Sequence, residues 1–238
     1  MACLNSTSSQ RADNNGTITE AMAEQITIPI STFEIAINYT RPVLNLWLDR
    51  AAVVQKMFDV FQPWNLSVDD VEAVKTGKPS EQGVKFTIPL KKVTFFFGPA
   101  RCKFTKEAAN WSEADELLQV LEVALEVLVQ SGVELGNKST SLVLHLQPKN
   151  VPFKELLWPF LVPALSQLES SRPEAMAYVI RWKGRRITLD GSAALANGVF
   201  VHIERDFDAA VSFDEIKETV YKDEATVFAL LNVEEVES

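Results

Sequence analysis

The chain has 238 residues, 47% hydrophobic and 23% charged, the composition of an ordinary globular protein with one large or two small domains. Its net charge of −9 divides as −5 over residues 1–135 (12 basic, 17 acidic) and −4 over 136–238 (11 basic, 15 acidic). No half is therefore a basic module, and affinity for nucleic acid phosphate is disfavoured. Two cysteines, Cys3 and Cys102, cannot build a disulfide framework, and the N-terminus has no apolar signal core, so the reading is a cytoplasmic, reduced protein.

Residues 1–25 are rich in Ser, Thr, Asn and Ala and predict a disordered tail. A first unit covers 26–136. Ile26–Tyr39 predicts a strand, and the change of parity between Ile28/Ile30 and Phe33/Ile35/Ile37 predicts a bulge near Ser31-Thr32. Pro42 suits the first helical position of a helix whose apolar residues run from Leu44 to Phe61, closed by Pro63. Ser67–Lys75 predicts a weak strand. Val84–Ile88, Val93–Phe97 and Ala100–Thr105 then alternate as strands, with Pro89 and Gly98-Pro99 marking breaks. Ser112-Glu113-Ala114-Asp115 predicts a capped helix start, Leu117, Leu121, Leu125 and Leu128 its stripe, and Gly132 or Gly136 its end.

A second unit covers 137–238. Leu142, Leu144 and Leu146 form one face of a strand over Ser139–Gln147. The apolar run Leu156–Leu165 carries Pro159 and Pro163, which predicts a bent or two-piece helix, and ten apolar residues fall short of the ~20 a bilayer requires. Met176–Trp182 and Arg186–Asp190 predict a hairpin around Lys183-Gly184, followed by a strand over Val199–Arg205. Ser212-Phe213-Asp214-Glu215 is a capping box, and Ile216, Val220, Val227 and Leu231 are the stripe of a terminal helix.

The order strand, helix, strands, helix occurs in both units without residue identity, so the pattern predicts two tandem units in one α+β fold. The expected architecture is one antiparallel sheet with four helices on one face. In order of elements alone this resembles the tandem arrangement of the TATA-box-binding protein fold. That resemblance carries no motif and implies no function.

If the helices cover one face, the other displays His145, Arg181, Asp190, His202 and Glu204 from the second unit and Glu34, Phe96, Arg101 and Lys103 from the first. A solvated face with cross-strand ion pairs is the default reading. Beyond it stand a protein-binding surface or a self-association face, and then a small-molecule pocket. Phe96 flanked by basic residues suits a protein anchor better than a nucleobase in so acidic a chain. His145 and His202 with Glu34 or Glu204 could ligate zinc, yet no His-x-x-His or Cys-x-x-Cys spacing supports it, and no metal or cofactor is expected. Ser192, His202 and Asp190 supply triad residue types without a Gly-x-Ser-x-Gly elbow, and no phosphate-binding loop is present. The reading is a non-catalytic binding or scaffolding protein that uses the open sheet face. A carrier of a small apolar ligand held between sheet and helices is the first alternative, and an enzyme the second.

Overall fold

The computed structural model describes residues 10–12, 18–20, 23–48, 50–75, 78, 81–160 and 177–236. Strands β1 (Gln10–Ala12) and β2 (Ile18–Glu20) pair antiparallel, within the stretch expected to be a tail. Strand β3 (Glu24–Tyr39) is followed by α1 (Asn45–Leu48) and α2 (Ala51–Phe61). A meander of β4 (Val71–Val74), β5 (Gly83–Ile88), β6 (Val93–Phe97) and β7 (Arg101–Glu107) leads to α3 (Ala114–Gln130). Then come β8 (Leu135–Pro148), α4 (Phe153–Leu157), β9 (Tyr178–Trp182), β10 (Arg185–Gly191), β11 (Val199–Phe207), α5 (Phe213–Leu231) and β12 (Val233–Glu235).

Ten of these strands form one sheet in the order β4-β5-β6-β7-β3-β8-β11-β10-β9, antiparallel throughout, with β12 added parallel to the start of β3. The long strands β3 and β8 lie side by side at the centre. Each is flanked on its outer side by the last strand of the meander that follows it, β7 and β11. The fold is thus the α+β antiparallel sheet that strand alternation predicted.

Alternation sorts every strand into two rows, because successive side chains point to opposite faces. Inward rows of β3, β5, β6 and β7 join the buried residues of α2 and α3 in one core: Phe61, Phe86, Phe95 and Phe97 interlock with ring centroids 5.5–6.5 Å apart. Inward rows of β8, β10 and β11 join Leu156 and Leu157 of α4 and Ile216, Val220, Val227 and Leu231 of α5 in a second core. Each fully buried side chain of this size contributes ~1.5–3 kcal/mol, so these rows fix the strand register. The opposite rows carry no helix among the described residues.

Several local expectations change. The bulge falls between Thr27 and Ile30, at Pro29, because proline cannot donate to the ladder there; Ile28 turns inward and Ile30 outward. Pro42 lies outside the helix, since Val43 N–H is held by Pro99 O, and the helical stretch divides into α1 and α2. Ser112 does not cap α3. A 3₁₀ turn (Trp111–Glu113) precedes that helix, so the cap moves to Asn110, whose Oδ1 accepts from Ser112 N–H at 2.9 Å. Trp182 shares the parity of the half-buried Tyr178 and Ile180 on β9 but is exposed. Of the bent segment Leu156–Leu165, the structure describes α4 and a 3₁₀ turn over Trp158–Phe160, and 161–165 lie outside the described residues. Lys183 and Gly184 both have positive φ (46° and 76°), the two-residue hairpin geometry expected of them. Ser212 Oγ accepts from Glu215 N–H at 3.2 Å and starts α5 where the sequence placed it. No described helix is long and apolar enough to cross a membrane.

Candidate functional site

Register brings the outward residues of the open face into rows that run across the strands. One row reads Thr105, Glu34, Ser141, Glu204, Arg186, Arg181 from β7 to β9. The next reads Val143, His202, Thr188, Val179, and the one beyond it Ile30, His145, Phe200, Asp190. His145, Arg181, Asp190, His202 and Glu204 therefore share one surface, as one-sided alternation implied. Its charges are partly tied within the sheet: Lys103 Nζ lies 2.9 Å from Glu34, Arg186 Nη1 3.2 Å from Glu204, and Lys85 Nζ 2.7 Å from Glu72. Such exposed cross-strand pairs are worth ~0.2–1 kcal/mol each and orient the surface more than they stabilise it.

At the β9–β10–β11 end the face deepens into a groove of about 690 Å³, lined among others by Glu34, Ser141, Arg181, Lys183, His202 and Glu204. The hairpin supplies its positive character, with Arg181, Lys183, Arg185 and Arg186 within six residues. Lys183 Nζ stands 5.2 Å from the Trp182 ring centroid, and the Arg185 guanidinium 4.2 Å on that same ring. Among the described residues neither Arg181 nor Lys183 has a carboxylate partner within 4.0 Å.

The two histidines hold different partners. His145 Nδ1 is 2.7 Å from Ser192 Oγ, and that oxygen accepts from Ala194 N–H (3.2 Å) and Leu195 N–H (3.0 Å). With Ser192 Oγ accepting from two backbone N–H groups, its hydroxyl hydrogen is free to turn toward Nδ1. His145 thus ties down the loop after β10. His202 Nε2 is 2.8 Å from Ser141 Oγ. The trio Ser192, His202 and Asp190 is not assembled: Ser192 belongs to His145, and Asp190 Oδ1 accepts from Gly191 N–H at 2.7 Å. Ser141 sits in mid-strand between β3 and β11, so its backbone amides serve the sheet and none converges on a developing oxyanion. The described residues hold no cluster of three metal-ligating side chains.

Phe96 and Arg101 occupy the same face at its other end. Six strand steps separate Phe96 on β6 from Arg181 on β9, roughly 29 Å at the usual ~4.8 Å spacing. The Phe96 ring covers Gly83 and Gly98, lying where their Cβ atoms would stand (2.7 and 3.2 Å). It fills a gap left by glycine beneath it, an aromatic cover familiar on sheet surfaces. Within the chain the contacts of this ring, expected to serve a binding surface, are with the glycines beneath it.

Other polar groups lie on the covered side and were missed. Asp223 and Glu224, adjacent on α5, are both buried. Asp223 pairs with Arg185 Nη1 and lies 2.8 Å from Arg205 Nε, locking the helix to β10 and β11. Glu224 Oε2 accepts from Trp111 Nε1 at 2.5 Å, and burial pushes its carboxyl up to about 7. The signal was readable: both acids fall on the apolar stripe, three and four residues after Val220, where a solvated helix would carry aliphatic side chains. Compared with known proteins, the chain matches no protein family and no curated protein.

The class defined by fold and surface is an α+β protein with one helix-covered face and one open, grooved face.

Proposed function

We propose that this is a non-catalytic binding protein that takes an acidic segment of a partner protein into the groove at the β9–β10–β11 end of the open face. The observation that carries this reading is the pair Arg181 and Lys183 at the mouth of that groove, with no carboxylate partner among the described residues and on a face that no described helix covers. In a chain of net charge −9 the groove lining carries Arg181, Lys183 and Arg186 with Glu34, Glu204 and Asp206, while Arg185 and Arg205 at its base turn to Asp223 on the covered side. Asp223 beneath Arg185 and Arg205 brings the local balance to one positive charge. Exposed Trp182 beside them offers an amphipathic ring of the kind that anchors interfaces. Steering by such a rim is strongest for acidic ligands at low salt.

Fluorescence anisotropy with a labelled Asp/Glu-rich peptide, a neutral peptide of equal length and a Lys-rich peptide tests the reading. The acidic peptide should bind tightest and weaken with salt. At ~0.2–1 kcal/mol per exposed pair, the double variant Arg181→Ala/Lys183→Ala should lose about two- to thirtyfold in affinity. Equal binding of acidic and neutral peptides would sink the proposal. So would a dimer in light scattering that buries the groove and is broken by the same double variant, since the occupant would then be a second copy of this chain.

A further inference from the structure

On the other side of the sheet, α3 lies over the first core and α5 over the second. Between them, above β3, remains a cavity of about 300 Å³. Its walls include Phe33, Ile35, Phe104, Leu117, Leu142 and Ile216, an apolar interior at the small end of the ~300–1,000 Å³ range of ligand sites. At ~30 Å³ per water-sized unit the space admits roughly ten non-hydrogen atoms.

Most polar groups around it are already engaged. Lys106 Nζ donates to Lys91 O (2.8 Å) and pairs with Glu113 (3.1 Å). Lys217 pairs with Asp115 and lies 3.8 Å from Asp214. Ser31 Oγ donates to Ala109 O at 3.1 Å. The exception is Glu224, 8% exposed. Its Oε2 takes the Trp111 N–H, and among the described residues no cation pairs with it. Glu235 of β12 also lines the cavity and adds negative potential, while β3 and α3 contribute no charged lining residue.

We propose that this cavity binds a small primary alkylamine, its chain among the apolar walls between α3 and α5 and its ammonium on the Glu224 carboxylate. An ammonium completes a buried carboxylate that no described cation pairs with, and an apolar tail displaces water from walls that offer it no hydrogen bonds. A carboxylate ligand would meet Glu224 and Glu235 and find Lys106 and Lys217 occupied. The site is independent of the open-face groove, since the two lie on opposite faces of the sheet.

The raised carboxyl supplies a signature. Free Glu224 is largely protonated at pH 6 and largely ionised at pH 8, and an ammonium binds the ionised form. The charged groups facing it are Lys106 from β7, Lys217 from its own helix and Glu235 from β12, and the bond from Lys217 to Asp115 raises the pKa of that lysine. Calorimetric titration of the full chain with hexylamine, hexanol and hexanoate should rank the amine first. Its affinity should rise about tenfold from pH 6 to pH 8, following the ionised fraction of a group with pKa near 7. Proton release on binding should show as heats that depend on the ionisation enthalpy of the buffer. Glu224→Gln should flatten the pH profile, and Ala114→Phe, which adds a ring to the cavity lining at the start of α3, should abolish binding. The wild-type pH profile needs no variant, so misfolding of either one leaves the test intact. Tighter binding of hexanoate, equal binding of all three probes, a flat wild-type profile, or no binding at millimolar concentration each overturns the proposal.

Discussion

Glu224→Gln isolates the energetic effect of burying a carboxyl of α5 against Trp111. Glu224 is 8% exposed, and burial raises its pKa to about 7 from the ordinary glutamate value of 4.5. The folded state therefore holds this proton more tightly than the unfolded state. Between pH 4.5 and 7 the native chain binds more protons, so stability falls as pH rises through that window, and the loss is complete above 7. Two and a half pKa units correspond to roughly 3 kcal/mol, of which roughly 2–3 falls between pH 5 and pH 8. Glutamine keeps an acceptor for the Trp111 N–H and has no charge to lose. Its unpaired amide N–H carries a desolvation penalty of ~1–3 kcal/mol that does not vary with pH. Urea denaturation of wild type and Glu224→Gln at pH 5.0 and 8.0 gives a double difference in which that penalty cancels. We expect Glu224→Gln to gain roughly 2–3 kcal/mol on wild type between the two pH values, or about 4–12 °C in relative Tm for a chain of this length. A double difference within ~0.5 kcal/mol of zero, the usual scatter of independent effects, would refute the assignment of a raised carboxyl.

Asp223→Ala removes the carboxylate that, among the described residues, neutralises both Arg185 and Arg205, so chemical denaturation should show a loss of ~3–5 kcal/mol. Gly83→Ala places a methyl 2.2 Å from Phe97 O and 2.7 Å from the Phe96 ring, where β5 and β6 must part to admit it. A loss of ~1–3 kcal/mol is expected from overpacking of this kind. Gly132→Ala, where nothing lies within 4 Å but φ is +88°, should cost only the ~1–2 kcal/mol of left-handed strain. Thermal unfolding of the two alanine variants side by side checks both values.

Much of the fold was legible because it rests on local periodicity. Leu142/Leu144/Leu146 and Ile187/Leu189 announce one-sided strands by period two, and Leu117 to Leu128 announces an amphipathic helix by period 3.6. Ser212 with Glu215 marks the start of α5 because a cap is satisfied within four residues. The candidate surface followed from the same alternation, which is why His145, Arg181 and His202 share a face. Long-range order was not legible. That β3 pairs with β8, which makes Glu34, Ser141, Glu204 and Arg181 one row, is decided by chain segments about a hundred residues apart. Alternation says which side of a strand is buried but not which strand lies beside it.

For the charges that the fold buries, two sequence signals conflict. Residue type assigns Asp223 and Glu224 to solvent, whereas their place on the apolar stripe of α5 assigns them to the core. Only packing of α5 against β10 and β11, and of Trp111 against α5, places one carboxylate between two arginines and leaves the other at an apolar cavity. The composition and periodicity of this chain determine a half-covered antiparallel sheet. The tertiary structure decided where on that sheet unpaired charge remains, because charge balance depends on neighbours that the sequence does not name.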